Sequence, residues 1–239
     1  MTTSADDPPR RGGPQRIPRP PAAHAGGPAP WAHLDDEARR VDVARLRHAF
    51  ATVEGPVRSP REVRVTRGAA VLAPIYEDGG EAHVVLTRRA SSLRVHSGEV
   101  SFPGGRQDAD EDLVGTALRE AHEEIGLDAS TVEIVGELDH LSTITSDSFI
   151  VPFVAVLSHP PRDLVANPDE VAAVLHVPLA ELLDPAVFRE ERWDVFGTER
   201  SMFFFELVGD TVWGATAAML RQLLGLATGT VGRGELRHL

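Results

Sequence analysis

The chain has 239 residues, of which 42% are hydrophobic, and a formal net charge of −12, enough for one sizeable domain with an appendage. It contains no cysteine and no lysine, so all 24 basic residues are arginines; this excludes thiol nucleophiles, zinc–thiolate sites, disulfides, Schiff bases and a phosphate-loop lysine. The acidic balance argues against a nucleic-acid partner, and no apolar run approaches the roughly 20 residues of a membrane-spanning helix, so a cytoplasmic protein with no membrane partner is expected.

Residues 1–33 are read as a disordered tail, because the first thirty contain eight prolines and too few apolar side chains to offset the entropy of ordering. The folded domain is expected over 34–239. Behind a plausible Asp35 cap, Leu34, Ala38, Val41, Ala44 (or Arg45) and Ala49 recur at helical spacing, which predicts one short amphipathic helix ending near Gly55. AAVLAPIY (69–76) and EAHVVLTRR (81–89) predict two strands joined by the turn sequence EDGG. Further strands are predicted at VEIVGEL (132–138), FIVPFVAVL (149–157), VLHVPL (174–179) and SMFFFEL (201–207), and VWGATAAMLRQLLGLA (212–227) reads as a closing helix. Phe203, Phe204, Phe205 and Trp213 are read as core rather than as stacking platforms. Strands on both sides of one central helix, with another helix at the end, predict an α+β or α/β sandwich with a mixed sheet.

The central helix carries the chemistry. A turn, FPGGR (102–106), ends a strand-like EVSF, and Asp110 or Asp112 could cap the central helix. Val114, Ala117, Leu118, Ala121 and Ile125 form one apolar stripe, and Gly126 supplies the stop. Glu120, Glu123 and Glu124 stand at i, i+3 and i+4 beside that stripe, where like charges destabilise a helix by roughly 0.2–0.5 kcal/mol per pair. On its own, such a run reads as a solvated acidic face. Held near the protein body, it would instead be relieved by two or more divalent cations, and magnesium suits carboxylates combined with substrate phosphates.

The surroundings decide between these readings. Gly105, five residues, Glu111, seven residues, then REAHEEIGL (119–127) resembles the Nudix box, with Ala121 as the one soft departure. The resemblance implies a Nudix-like α/β/α sandwich with a mixed β-sheet and a central catalytic loop–helix, and hydrolysis of a nucleoside diphosphate linked to another moiety, using Mg²⁺ or Mn²⁺. It further implies Glu120 and Glu124 as direct metal ligands and Glu123 as a further ligand or water-activating group. Arg119 would orient the carboxylates through an ion pair to Glu123, Glu111 would support the site, and the carbonyl of Gly104 or Gly105 would complete the metal shell. Glu170, in NPDEV, is the candidate base or extra ligand outside the box.

A second signature precedes the first. LTRRASSLRVHSGEVSFPGG (86–105) resembles the motif of the coenzyme A diphosphatase branch of Nudix hydrolases, and the likeness extends over roughly residues 35–228. It implies a coenzyme A-like substrate cleaved to 3′,5′-ADP and 4′-phosphopantetheine, with Arg89, Arg94 and His96 as phosphate-binding residues. Two alternatives stay open: another Nudix substrate, such as ADP-ribose, a nucleotide sugar or a dinucleotide, and a ligand-binding module without turnover. Whether the chain forms a homodimer is also open.

Overall fold

The computed structural model describes residues 10–59, 62, 68–92, 96–142 and 149–235. The first half contains β1 (His24–Ala25), α1 (Asp36–Arg39), α2 (Val43–Thr52), β2 (Ala69–Asp78), β3 (Glu81–Arg89), β4 (Val100–Ser101), β5 (Gly104–Arg106) and α3 (Leu113–Ile125). The second contains β6 (Val132–Glu137), β7 (Leu141–Ser142), β8 (Phe149–Leu157), β9 (Val171–Pro178), α4 (Leu179–Leu182), β10 (Phe188–Val195), β11 (Thr198–Leu207), β12 (Asp210–Trp213) and α5 (Gly214–Thr228).

The larger sheet has the order β4-β3-β2-β8-β6, with β5 beside β2, β7 beside β8 and β9 beside β3. It is mixed: β2 and β8 run parallel, and the other pairs are antiparallel. Side-chain alternation along each strand divides the core in two. Ala70, Leu72, Val85, Val151, Phe153 and Ala155 pack with Ala117, Ala121 and Ile125 of α3. Ala73, Ile75, Val84, Leu86, Val154 and Val156 pack on the opposite side with α2, α5 and the second sheet. The expected sandwich with a mixed sheet is thus present, with the carboxylate helix as one outer layer.

The second sheet, of order β1-β10-β11-β12, is only partly predicted. Its β11 is the apolar SMFFFEL segment, but β10 is FREERWDV, whose charges hide the strand. They are absorbed by cross-strand and edge ion pairs, Arg189 with Glu206 at 2.7 Å and Arg19 with Glu191 at 2.8 Å.

Three expectations are corrected. The single helix behind Asp35 is two: Asp35 caps α1 by accepting from Ala38 N–H at 2.8 Å, and Asp42 recaps α2 by accepting from Arg45 N–H at 2.7 Å. The closing helix begins at Gly214, because Val212 and Trp213 extend β12 and pair with Phe205 and Phe204. The disordered tail is instead, from residue 10 onward, a strap laid along the second sheet. Its β1 pairs with β10, Gly12 N–H donates to the Leu207 carbonyl at 2.7 Å, and Trp31 is fully buried against Phe188 and Phe205. A proline-rich segment needs little apolar mass to order when a sheet edge supplies its backbone partners. Residues 1–9 of the expected tail lie outside the described residues.

Candidate active site

The glycine turn sits where β5 crosses β2. Gly104 has φ +155°, and a Cβ there would collide with the Ala70 carbonyl oxygen and come within 2.6 Å of Val71 Cα. No larger residue fits that approach. A Cβ on Gly105 would overlap the Glu120 carboxylate. The missing side chains let α3 bring its acids against the turn, where Gly104 N–H donates to Glu124 Oε2 at 3.3 Å.

Asp112, rather than Asp110, caps α3, accepting from Gly115 N–H at 2.6 Å, and Gly126 ends it at φ +70°. One guanidinium organises the acids this helix presents. Arg119 donates through Nε to Glu111 at 3.0 Å, and through Nη1 to Glu120 at 3.0 Å and Glu123 at 2.8 Å. Its Nη2 reaches the Arg106 carbonyl at 3.1 Å, tying the helix to the turn. Glu111 is held in place from its other side by the Thr116 hydroxyl at 2.8 Å. Bonds from Arg119 and then Thr116 keep the Glu111 carboxyl below its ordinary range.

Glu124 and Glu120 lie in the opposite electrostatic situation. Glu124 is 3% exposed; burial, reinforced by the charges of Glu120 and Glu170, pushes its carboxyl up to about 7 against the weaker pull of Gly104 N–H and Arg89. Burial also raises Glu120, and Glu123 and Glu170 add to the rise, while Arg119 opposes it. Glu170 therefore faces the same charge cluster, although it is exposed on the turn before β9. Its carbonyl accepts from Ala90 N–H at 2.8 Å, which anchors that turn to the end of β3.

Hard oxygen donors carrying excess negative charge, one of them buried with a single backbone N–H on it, fit a divalent cation in donor type and charge. Among the described residues no three acidic or histidine side chains already converge as a ligand set, and Arg119 engages two of the candidates.

Beside Gly104 opens a cavity of about 570 Å³. Arg89 and His96 border it, and Arg89 Nη1 lies 4.0 Å from Glu124 Oε1. His96, at φ +56°, is exposed and within 2.8 Å of Glu99 Oε2. Arg94 lies outside the described residues. The structure thus brings together Glu111, Arg119, Glu120, Glu123, Glu124, Glu170, Gly104 and Arg89, with His96 at the rim. Sequence reading missed the far wall of the cavity, formed by Ser201, Met202 and Trp213. Trp213, expected in the core, is only partly buried there. No local motif marks these residues, which stand about a hundred positions from the glycine turn and reach it only through the second sheet.

Comparison with known proteins identifies the family. A family model described as the NUDIX domain matches residues 66–196, more than half of the chain. An uncharacterized Nudix hydrolase, NudL, of Photorhabdus laumondii is 36% identical over 158 residues, covering 66% of this chain and 83% of that protein. Nudix hydrolase 3 of Caenorhabditis elegans is 35% identical over 187 residues, covering 70% and 76%. Among solved structures, an Ap4A hydrolase of C. elegans aligns with 50% of this chain and 85% of its own at 21% identity and a TM-score of 0.42.

Proposed function

Because this chain belongs to the NUDIX family of hydrolases, we propose that it is a metal-dependent diphosphatase acting on coenzyme A and its acyl derivatives, with 3′,5′-ADP and (acyl-)4′-phosphopantetheine as products. The observation that carries this reading is the placement of the Glu120 and Glu124 carboxylates against the glycine turn, with Arg89 4.0 Å from Glu124 and an open cavity beside them. The substrate choice is supported by the residue 86–105 signature, two of whose polar members, Arg89 and His96, border that cavity.

Glu120 and Glu124 would hold Mg²⁺ or Mn²⁺, with Glu123 and the Gly104 carbonyl as further ligands. A divalent ion bound there supplies Lewis-acid neutralisation of the diphosphate oxygens. Arg119 fixes Glu120 and Glu123 in place through Nη1, while Glu111, bonded to Arg119 and to the Thr116 hydroxyl, fixes Arg119. Glu170, exposed and next to the acids, accepts the proton of the attacking water at its carboxylate. Arg89 meets a phosphate through its planar donor fork, and His96 adds a cation when protonated. Among the described residues no helix is long and apolar enough to cross a membrane, and the substrate is a small molecule.

A mass-spectrometric screen of the purified chain with Mg²⁺ or Mn²⁺ against coenzyme A, acetyl-coenzyme A, ADP-ribose and NADH tests the proposal. Ion-dependent release of 3′,5′-ADP from coenzyme A at the highest kcat/KM is the expected result. Faster cleavage of ADP-ribose would move the assignment to another diphosphate, and no cleavage of any would point to a binding module.

A further inference from the structure

We propose that the cavity beside Gly104 receives the pantetheine arm of the substrate and that Trp213 is the residue that selects for it, an inference that rests on the coenzyme A reading. The substrate has two unlike halves: a flat, charged nucleotide and a flexible chain of alkyl segments interrupted by amides. The cavity has the character of the second. Its volume of about 570 Å³ lies within the range of small-molecule sites. Leu141, Ile150, Met202 and Met219 give it alkyl walls, and methionine adapts to a flexible guest. Among the described residues the cavity's one carboxylate, Glu99, is already bonded to His96, and the apolar lining suits alkyl segments better than a charged nucleotide.

Trp213 adds the polar element. It closes β12 in extended geometry, and Gly214 at φ +64° then turns the chain into α5. Its Nε1 is buried and has no hydrogen-bond partner among the described residues. A buried donor left unpaired is costly and calls for an acceptor. Nε1 has essentially no accessible surface, so the arm engages it by turning the indole toward the cavity, where an amide carbonyl supplies the acceptor without adding charge. Arg89, on the same cavity and near Glu124, is placed for the phosphate at the head of the arm.

Titration calorimetry on the full chain, with 4′-phosphopantetheine and 3′,5′-ADP as separate probes, tests this without turnover. Trp213→Phe keeps a ring and removes the donor. Ala215→Trp places bulk at an exposed position on the cavity lining without entering the core. The first should weaken 4′-phosphopantetheine by about three- to tenfold, as expected for one neutral hydrogen bond. The second should weaken it by roughly tenfold or more, and both should leave 3′,5′-ADP unchanged. Unaltered 4′-phosphopantetheine affinity in both variants, no binding of it by the unmodified chain, or a loss confined to 3′,5′-ADP would each overturn the inference. Cleavage of coenzyme A with arm affinity unmoved by either variant would sink this inference and leave the diphosphatase standing. Arm binding that responds to both variants, in a protein that leaves coenzyme A intact, would do the reverse.

Discussion

Glu124→Gln lowers kcat/KM for the diphosphate substrate on the order of 10³-fold while raising the stability of the ion-free protein. The first effect comes from removing a charge that holds the cation: metal stabilisation of a transferring phosphoryl group contributes several kcal/mol, and each 1.36 kcal/mol is about tenfold in rate. The second comes from burial. Glu124 has an ordinary carboxyl value of 4.5 when unfolded and about 7 when folded, so between those limits the folded state keeps a proton that the unfolded chain has lost. Stability from this residue is therefore greatest below about pH 4.5, falls as pH rises through that window, and is lowest above 7, a span of about 3 kcal/mol. Glutamine cannot ionise and removes that loss. Thermal unfolding from pH 5 to 8 should show wild type falling relative to the variant, and millimolar Mg²⁺ or Mn²⁺ should rescue wild type alone, since the ion binds only the native charged site. A variant with near wild-type kcat would take Glu124 out of the metal site.

The second large effect lies far from the carboxylates. Trp31→Ala should cost about 3–5 kcal/mol, the usual penalty for emptying a large buried aromatic site, because Trp31 is fully buried with ring centroids 5.5 Å from Phe188 and 6.2 Å from Phe205. Deleting residues 1–31 should cost more. It also strips β1 from β10, takes Arg19 from the buried Glu191, and removes Gln15, whose Nε2 donates to both the Gly98 carbonyl and Asp210. With total stabilities of only about 5–15 kcal/mol, the truncated chain should sit close to unfolding. Gly98 belongs to the loop that carries His96, so binding should loosen as well. Denaturant midpoints are the measurement; a truncated chain that unfolds at the wild-type midpoint would show that the strap is ornamental.

The contrast between these two regions explains what a sequence makes legible. The box is readable because its chemistry is local: Arg119, Glu120, Glu123 and Glu124 fall on one helix, and a single turn brings Gly104 and Gly105 to them. The alternating apolar strands of the larger sheet are readable because each has one face against α3 and one against the other core. Three features are not. β10 is stabilised by ion pairs with Arg19 and Glu206, partners that a hydrophobic pattern does not register. The strap orders through backbone bonds to an edge that exists only once β10 has formed. The cavity's far wall depends on how the β11–β12 hairpin folds back toward Gly104, so Trp213 reads locally as the start of a helix and a core residue. Each failure has the same physical origin, a long-range pairing that local composition does not encode.

The most direct test is the coenzyme A reaction run in water labelled with oxygen-18, with Mg²⁺ or Mn²⁺ and with Glu124→Gln in parallel. Hydrolysis of the diphosphate places one labelled oxygen on the phosphate of a single product, either 3′,5′-ADP or 4′-phosphopantetheine, only when the divalent ion is present and not with the variant. Coenzyme A left intact under these conditions, or products formed equally well by the variant or without the ion, would contradict a carboxylate-held, metal-dependent attack by water on that bond.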